Sequence, residues 1–237
     1  MHYMDLALPT AAENLACDEA LLDFCEDTGA PEILRVWESS EYFVVVGYAN
    51  KVGLEVNLEA CQSRQIPILR RCSGGGTVVQ GPGCLNYSLV FRVAANDSLQ
   101  TVTQTNRFVM GRHRDIFGTD TGRRVEIEGH TDLAMGGVKF SGNAQRRRKN
   151  YLLFHGVFLL DFDLHLIEEL LKMPSKQPTY RGNRSHKEFL VNLKWPAAKM
   201  KRQLREAWNA SDSSEIKWEI PEALIAKYRS KEWNLKF

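Results

Sequence analysis

Residues 70–79 read Arg-Arg-Cys-Ser-Gly-Gly-Gly-Thr-Val-Val and join the apolar run at 66–69 to a strand-like segment at 86–91. Three consecutive glycines bury no side chain and cost backbone entropy, so such a run is typical of a loop whose amides approach a ligand closely. Loop amides of this kind bind anions, and the arginine pair adds charged donors. On this stretch alone, a glycine-rich hairpin with a basic flank is an equally good interpretation. Neither the P-loop GK[ST] nor the GxGxxG fingerprint is present here.

The composition is that of an ordinary globular chain. Its 237 residues are 43% hydrophobic and 25% charged, enough for one large domain or two small ones. The chain has no repeat, linker or break in composition, so we expect a single domain over residues 1–237. The net charge of +2 does not favour nucleic-acid binding. Without a signal peptide or an apolar run of membrane-spanning length, we expect a cytoplasmic protein with no membrane partner.

The five cysteines fit reduced thiols better than a disulfide framework. Their number is odd, and no CxxC pair or metal-ligand spacing occurs. Cys72 and Cys84 flank the glycine run, but neither has a histidine base close by in sequence. A catalytic cysteine is therefore not favoured. We also expect no metal site built from protein side chains.

The order of elements predicts an α+β fold. Several strand-like segments follow one another too closely for parallel crossovers, so we expect a mixed, mainly antiparallel sheet flanked by helices. Thr10 and Glu13 form a capping-box pattern at the start of the first helix. A long helix is predicted over residues 96–117, with residues 112–114 on its solvated face. Residues 175–187, rich in Arg, Lys, Gly and Pro, are predicted to form a mobile loop.

Two polar residues stand in apolar strand segments. Burial of Lys139 requires an anionic partner, and its compact charge suits a phosphate and a carbonyl oxygen together. The ordinary alternative is a strand-end lysine that points to solvent. His155 lies inside the apolar run 152–158, where a lone histidine is more often a hydrogen-bonded core residue than a catalyst. The basic run 146–149 is by default a solvated face.

Three blocks, in this order, resemble the lipoate–protein ligase A family. They are RRCSGGGTVV at 70–79, TDLAMGGVKFSGNAQRRR at 131–148 and FHGVFLLDFDL at 154–164. The resemblance covers nearly the whole chain and implies the biotin/lipoate ligase catalytic-domain fold, which is class II synthetase-like. It also implies a reaction in which ATP activates lipoate to lipoyl-adenylate with release of pyrophosphate. The lipoyl group then passes to a lysine of a lipoyl carrier domain.

The resemblance also implies a set of site residues. Lys139 would be the catalytic residue, bridging the acyl carbonyl and the α-phosphate and stabilising the negative charge that develops there. The residues expected to bind the nucleotide or the lipoyl-adenylate are Arg70, Arg71, Ser73, Gly74, Gly75, Gly76, Thr77, Val78, Val79, Asn86, Asp132, Ser141, Gly142, Asn143, His155 and Gly156. Mg²⁺ would accompany the ATP. The carrier would be a 2-oxoacid dehydrogenase acyltransferase, a glycine-cleavage carrier protein or a similar domain.

Each group would take a part that follows from its position in the family pattern. The amides of residues 74–76, with Arg71, would hold phosphate oxygens. Residues 77–79 would line the nucleotide and acyl site. Asp132 and residues 141–143 would shape the adenine and ribose side, and His155 would pack beneath the acyl group.

The chain departs from the family pattern at four points. Gln80-Gly81 replaces a His-Asp pair after the glycine run. Phe154 replaces the first histidine of an HHG motif, and Thr131 replaces an asparagine. The family's C-terminal accessory domain, which the adenylation step often needs, has no counterpart in these 237 residues. Either a separate subunit supplies it, or this chain adenylates alone, or it transfers a preformed acyl group.

Two other functions stay open at this point. An octanoyl or lipoyl transferase would take its acyl group from a carrier protein. Such relatives use a cysteine in the second half of the domain, whereas no cysteine follows Cys84 here. A non-catalytic subunit would keep the lipoyl pocket and bind a carrier protein. The preferred acyl acid, lipoate or octanoate, is open as well.

Overall fold

The computed structural model of the protein describes residues 1–118, 124–212 and 217–237. Its strands are β1 (His2–Asp5), β2 (Ile33–Trp37), β3 (Phe43–Val46), β4 (Ile68–Arg70), β5 (Val78–Gln80), β6 (Cys84–Arg92), β7 (Val125–Glu128), β8 (Asp132–Met135), β9 (Val138–Arg147) and β10 (Tyr151–Leu159). Its α-helices are α1 (Ala11–Thr28), α2 (Val52–Glu55), α3 (Leu58–Ser63), α4 (Val102–Phe117), α5 (Leu164–Leu170), α6 (His186–Phe189), α7 (Ala197–Ala207), α8 (Glu222–Arg229) and α9 (Lys231–Asn234).

A seven-stranded sheet forms the centre of the fold, in the order β1-β2-β6-β10-β9-β8-β7. β1 and β2 are parallel, and the other neighbours in this sheet are antiparallel. A second sheet, β4-β3-β5, pairs β3 in parallel with β4 and in antiparallel with β5. The predicted mixed, mainly antiparallel sheet with flanking helices is therefore confirmed.

The central strands β6 and β10 of the large sheet are covered on both faces. Both are strongly apolar, as strands between two layers must be, and they pair along nine residues. On one face Tyr87, Phe154 and Phe158 belong to a cluster that includes residues of α4 and α7. On the other face α1 and the small sheet complete three further clusters. The candidate site lies on this second side.

Helix α1 begins at the capping box that the sequence predicts. The Thr10 hydroxyl accepts a hydrogen bond from the Glu13 amide, and the Glu13 carboxylate accepts one from the Thr10 amide. Gly29 ends the helix at a φ of 70°, and its amide donates to the Cys25 carbonyl. α1 is buried along most of its length because it packs against both β10 and α8. Among the described residues, no helix combines the length and the apolarity that crossing a membrane requires.

Helix α4 begins later than predicted. Two short 3-10 turns occupy residues 93–99, and the helix starts at Val102 with Thr101 as its N-cap. The prediction was wrong because Asn96 caps a 3-10 turn: its Oδ1 accepts from the Ser98 amide at 2.8 Å.

His113, predicted to be solvated, is instead 0% exposed. Its ring packs edge-on against Tyr87 and Trp208, and Trp208 Nε1 donates to His113 Nε2 at 2.9 Å. Burial lowers the pKa of His113 to about 3, with a smaller contribution from the charge of Arg112. The flanking arginines made this turn of the helix look polar throughout, which is why the prediction was wrong.

Residues 175–187, predicted to be a mobile loop, are partly packed in this structure, and their mobility stays a prediction. The segment contains a 3-10 turn and the start of α6. Arg181 is 4% exposed, and its guanidinium lies over the Phe189 ring. Arg184 donates to the Gly137 carbonyl at the tip of the β8–β9 hairpin. The segment therefore covers this hairpin.

We predict that His113 makes the fold sensitive to acid. Its folded pKa lies below the unfolded value, so the unfolded chain binds the proton first as pH falls. As the pH falls below about 6.5, the free energy of unfolding should decrease by up to about 1.4 kcal/mol per pH unit. His113→Gln keeps an acceptor for Trp208 and takes up no proton, so its stability should fall less. Urea unfolding at about pH 7 and about pH 5 measures the difference.

The exposed histidine His165 provides the control, as His165→Gln. This variant should lose stability with acid as the wild type does. An equal loss in the wild type and in His113→Gln would contradict the prediction.

Candidate functional site

Residues 73–76, called the glycine loop from here on, follow β4 and lie at the surface apart from Ser73. The Tyr48 amide donates to the Ser73 carbonyl at 2.8 Å, which fixes the start of the loop. Gly75 has a φ of +89°, a conformation that favours glycine. Gly47 lies against it, since a Cβ at Gly47 would be 2.2 Å from the Gly75 carbonyl oxygen. The glycines therefore permit a tight turn close to a second backbone segment.

Arg71 organises the glycine loop from inside. Its Nη2 donates to the Gly74 carbonyl at 2.6 Å and to the Gly76 carbonyl at 2.7 Å. In a trans peptide the N–H points away from the carbonyl of the same unit, so the amide of Gly75 faces outward. Within the described part of the chain, the amides of residues 74–76 have no protein acceptor. The loop therefore presents unpaired donors at the surface.

The charge of Arg71 is buried without a carboxylate against it. Burial lowers its pKa to about 10, so the guanidinium stays protonated at neutral pH. Its described acceptors are the Ser73 hydroxyl and backbone carbonyls, all of them neutral. A buried cation without a counter-charge, beside unpaired amides, favours an anionic ligand at the glycine loop.

Arg70, which the sequence also predicts to bind the anion, is buried away from the loop surface in this structure. Its side chain is 0% exposed, and Nη1 donates to three carbonyls in the turn after β3. Its Nε donates to the Trp233 carbonyl, and Trp233 Nε1 donates back to the Arg70 carbonyl. Arg70 therefore holds that turn against α9, and its predicted role in anion binding stays a prediction.

The other residues expected near the loop have mixed placements. Thr77 Oγ1 accepts from Asn50 Nδ2 at 3.2 Å, next to the loop. Val79 and Val78 belong to two different apolar clusters, so they shape the layer under the loop. Asn86 is buried in β6, where its Nδ2 has no hydrogen-bond partner among the described atoms.

A β-bulge in β9 sets the direction of the Lys139 side chain. Two residues of β9 pass one residue of β8 at this point, which makes Phe140 an extra residue in the strand. The Lys139 ammonium lies 2.8 Å from Asp132 Oδ1, and the lysine side chain is 22% exposed. A Cβ on Gly142 would be 2.9 Å from Lys139 Nζ, so the ammonium lies over this glycine. Lys139 is therefore a held, partly buried cation rather than a solvated one.

The ion pair of Asp132 and Lys139 is fixed from the segment after α5. The Tyr180 hydroxyl donates to Asp132 Oδ2 at 2.8 Å. Burial, with this carboxylate, raises the pKa of Tyr180 well above its usual range, so the hydroxyl keeps its proton. The Val191 amide donates to the Lys139 carbonyl at 2.9 Å. Sequence reasoning missed Tyr180 because it lies in the segment predicted to be mobile.

The glycine loop and Lys139 meet on one side of β9. A Cβ at Gly75 would be 3.5 Å from the Ala144 Cβ, so the loop lies over Ala144. Gly142, under the Lys139 ammonium, precedes Ala144 by two residues and faces the same side. Two residues of a strand span about 7 Å, and this is the distance along β9 that separates the loop from the ammonium.

The Asn143 side chain faces the side of β9 away from the glycine loop, and its predicted place beside the nucleotide stays a prediction. Its Oδ1 accepts from the Tyr87 hydroxyl, and its Nδ2 donates to the Thr131 carbonyl, both at 2.5 Å. Thr131 Oγ1 donates back to the Asn143 carbonyl at 3.0 Å. Asn143 thus fixes the residue before Asp132. Ser141 is also buried, and its Oγ accepts from Asn143 Nδ2 at 3.3 Å.

His155 lies under the glycine loop and has a polar partner at each ring nitrogen. Its Nε2 is 2.5 Å from Ser73 Oγ, and its Nδ1 is 3.1 Å from Asp18 Oδ2 in α1. The strand register places it opposite Ala144, on the loop side of the sheet. Its expected place beneath a bound acyl group stays a prediction. Asp18 had no signal in the sequence, because only the tertiary fold brings α1 to β10.

Arg146 is a residue of the candidate site that sequence reasoning missed. Its Nη1 donates to the Cys72 carbonyl at 2.9 Å, and its guanidinium lies 5.8 Å from the Tyr48 ring centre. Arg146 shares the loop side of β9 with Ala144, because side chains alternate along a strand. That alternation was the available signal, but the basic run was interpreted as a solvated face and not as the end of β9.

All five cysteines are buried. Burial raises the pKa of each thiol, to about 11 for Cys61 and to about 12 for the other four. A thiol with such a pKa stays protonated at neutral pH and is a poor nucleophile. The cysteines are therefore structural in this fold.

Residues 10–206 match the family model of the lipoyl protein ligase A/B catalytic domain. Because this match covers most of the chain, the protein belongs to that family. The chain is 32% identical to a protein of Aeropyrum pernix that bears the name lipoate-protein ligase A, over 71% of this chain and 61% of that one. It thus spans less than two thirds of that relative's length. It is 26% identical to the octanoyltransferase LipM of Geobacillus kaustophilus, over 99% of this chain and 97% of that enzyme.

Solved structures share the whole fold. Protein Ta0514 of T. acidophilum, solved with bound lipoic acid, has a TM-score of 0.80 at 22% identity. The match covers 100% of this chain and 99% of that protein. A lipoate-protein ligase A bound with ATP has a TM-score of 0.76 at 24% identity. The match covers 99% of this chain and 98% of that one. The bi-partite lipoate protein ligase of Thermoplasma acidophilum, studied with its E2 lipoyl domain, has a TM-score of 0.72 at 21% identity. The match covers 99% of this chain and 95% of that one.

We predict that the observed position of the Asn143 side chain requires a glycine at residue 156. A Cβ at Gly156 would lie 1.7 Å from Asn143 Oδ1, so Gly156→Ala must displace the amide that fixes Thr131. The expected loss is about 1–3 kcal/mol in the free energy of unfolding, measured by urea titration. Gly111→Ala in α4 is the matched control, because its Cβ meets no atom within 4 Å. It should be neutral or stabilise by up to about 1 kcal/mol, and equal effects would contradict the account.

Proposed function

We propose that this protein is an ATP-dependent lipoate–protein ligase that forms lipoyl-AMP and transfers the lipoyl group to a lysine of a lipoyl carrier domain. The observation that carries the proposal is the Lys139 ammonium over Gly142, about 7 Å along β9 from a loop of unpaired amides. A phosphate bound by those amides and an acyl carbonyl next to it both lie within reach of this ammonium. Membership of the family supports the same chemistry.

Both half-reactions develop negative charge near the acyl group. In the first, a carboxylate oxygen of lipoate attacks the α-phosphate of ATP, and pyrophosphate leaves. In the second, the carrier lysine attacks the acyl carbon, and AMP leaves. Lys139 stabilises the oxygens that carry the charge in each step. Because Asp132 and Tyr180 hold the ammonium in place beforehand, little reorganisation is needed when substrate binds.

The glycine loop binds phosphate oxygens through its outward amides. Arg71 contributes charge at close range, because its donors are already used by the loop carbonyls. Arg146, beside Cys72, adds a second cation at the loop. Among the described residues no group of three or more His, Cys, Asp and Glu could hold a metal. Mg²⁺ would accompany the ATP and would neutralise part of the phosphate charge.

The partner of the transfer step is a lipoyl carrier domain, and the assay below decides whether the chain also needs a second subunit. The support for this part is the shared fold with the bi-partite ligase of T. acidophilum, which was studied with its E2 lipoyl domain. The identity of the carrier for this chain is a matter for the assay below.

An octanoyltransferase is the second candidate, because LipM of G. kaustophilus aligns with 99% of this chain. Transfer from an acyl carrier needs a nucleophile that holds the acyl group between two carriers. The five thiols of this chain are buried and protonated, and none lies in its second half. For this reason we rank the ligase first.

A product-resolved assay separates these functions. The purified chain is incubated with lipoate, Mg-ATP and an acceptor carrier, and lipoyl-AMP and lipoylated carrier are measured separately. A second arm supplies preformed lipoyl-AMP, and a third supplies an octanoylated carrier without ATP. A ligase gives both products in the first arm, or transfer only in the second if it needs another subunit. Transfer only in the third arm would support the octanoyltransferase, and no product in any arm would contradict both.

We predict that Lys139→Ala abolishes carrier lipoylation, lowering both steps by at least about 100-fold. The fold should survive, because the side chain is partly exposed and Asp132 keeps the Tyr180 hydroxyl as a partner. Circular dichroism and urea unfolding check the fold. Lys149→Ala, exposed in the turn after β9, is the control and should keep wild-type activity. Full activity of Lys139→Ala would rule out the assigned role.

A further inference from the structure

A buried ionic chain links β2 and α1 to the glycine loop. Arg35 Nη1 donates to Asp18 Oδ1 at 2.7 Å. Asp18 Oδ2 lies 3.1 Å from His155 Nδ1, and His155 Nε2 lies 2.5 Å from Ser73 Oγ. All four side chains are buried. We call them the Arg35–Ser73 chain.

The donor and acceptor groups of Arg35 and Asp18 set the direction of their own hydrogen bonds, and we assign the His155 tautomer from them. Arg35 can only donate, so the Asp18 carboxylate accepts. Burial acts to raise the pKa of Asp18, but the hydrogen bond to His155 and the charge of Arg35 outweigh burial and lower it. An ionised Asp18 accepts from Nδ1–H of His155. In the tautomer that carries its proton on Nδ1, the Nε2 lone pair of His155 accepts from the Ser73 hydroxyl.

Ser73 is the junction of two buried systems. Its Oγ accepts from Arg71 Nε at 3.1 Å, and Arg71 holds the carbonyls of the glycine loop. Its proton goes to His155, which Asp18 orients. Packing alone does not require such a chain, because well-packed apolar residues stabilise a core as well as buried ions do. The chain ends, however, at the first residue of the loop whose amides are unpaired.

We propose that Asp18 and Arg35 are positioning residues, which fix the tautomer of His155 and thereby hold Ser73 and the glycine loop in the conformation that binds phosphate. For its ligand, ATP, this inference rests on the proposed function. Neither residue touches the loop directly, and both act through His155.

Asp18→Asn separates this role from simple burial of charge. The amide oxygen of the new side chain must face Arg35, because a guanidinium accepts no hydrogen bond. Its NH₂ group then faces His155 Nδ1, which must become the acceptor, and the ring proton moves to Nε2. That proton points at Ser73 Oγ, which already accepts from Arg71. The Ser73 proton then loses its buried acceptor, so the Ser73 side chain loses one of the two contacts that orient it.

The test uses the full chain labelled with ¹⁵N-histidine. Imidazole ¹⁵N shifts report the tautomer, and the signal of His155 is identified by its loss in His155→Gln. We expect Nδ1–H in the wild type and Nε2–H in Asp18→Asn. In the carrier lipoylation assay, KM for ATP should rise roughly tenfold or more, whereas KM for the carrier stays unchanged.

Asp23→Asn is the matched control. Asp23 lies on the same helix and pairs with Arg148, but both side chains are about one third exposed. This variant should keep the wild-type tautomer of His155 and the wild-type KM for ATP. If Asp18→Asn does not fold, Ser73→Ala removes the end of the chain without touching the ion pair and must raise KM for ATP in the same way.

Three results would overturn the proposal. One is Nε2–H in the wild type, and another is an unchanged tautomer in folded Asp18→Asn. The third is a covalent acyl group on Ser73 in intact-mass spectra, which would make Ser73 a nucleophile rather than an oriented group. If the wild type forms neither lipoyl-AMP nor lipoylated carrier, the proposed function fails, and the two tautomer measurements still decide whether the Arg35–Ser73 chain sets the state of His155.

Discussion

The hydrogen bonds from the buried Arg71 guanidinium to the carbonyls of Gly74 and Gly76 are the constraint on which the site depends. They turn the carbonyls inward, and the planar peptide then turns amides outward. The same interaction leaves a cation inside the protein without a carboxylate beside it. Anion binding at the glycine loop would supply the missing counter-charge, so one side chain provides both the shape and the field of the site.

The large sheet supplies the platform that brings the parts together. The register of β9 and β10 puts Ala144 and His155 side by side under the glycine loop. The bulge at Phe140 lets Lys139 lie over Gly142, on the same side as Ala144. Three blocks of sequence thus become neighbours because alternate residues of one strand face the same layer.

The sequence allowed the capping box of α1 and the mainly antiparallel sheet to be predicted, because each depends on local chemistry or on connection length. The glycine loop and Lys139 were placed in a site by the family resemblance, because their local sequence fits a basic hairpin and a solvent-facing lysine as well. The sequence did not separate Arg70 from Arg71, since that difference lies in the partners that each side chain meets in the folded chain. The same limit applies to Asn143, whose partners Tyr87 and Thr131 come from other segments. Contacts such as Asp18 with His155 join α1 to β10 and leave no local pattern.

The central claim is that Lys139 meets the acyl and phosphate oxygens of lipoyl-AMP beside the glycine loop. A crystal structure of the protein with a non-hydrolysable lipoyl-adenylate analogue tests this most directly. The account predicts Lys139 Nζ at about 2.7–2.9 Å from the acyl carbonyl oxygen or an α-phosphate oxygen. It also predicts that amides of the glycine loop donate to the phosphate. An analogue bound with Lys139 Nζ more than about 4 Å from both oxygens would contradict the claim.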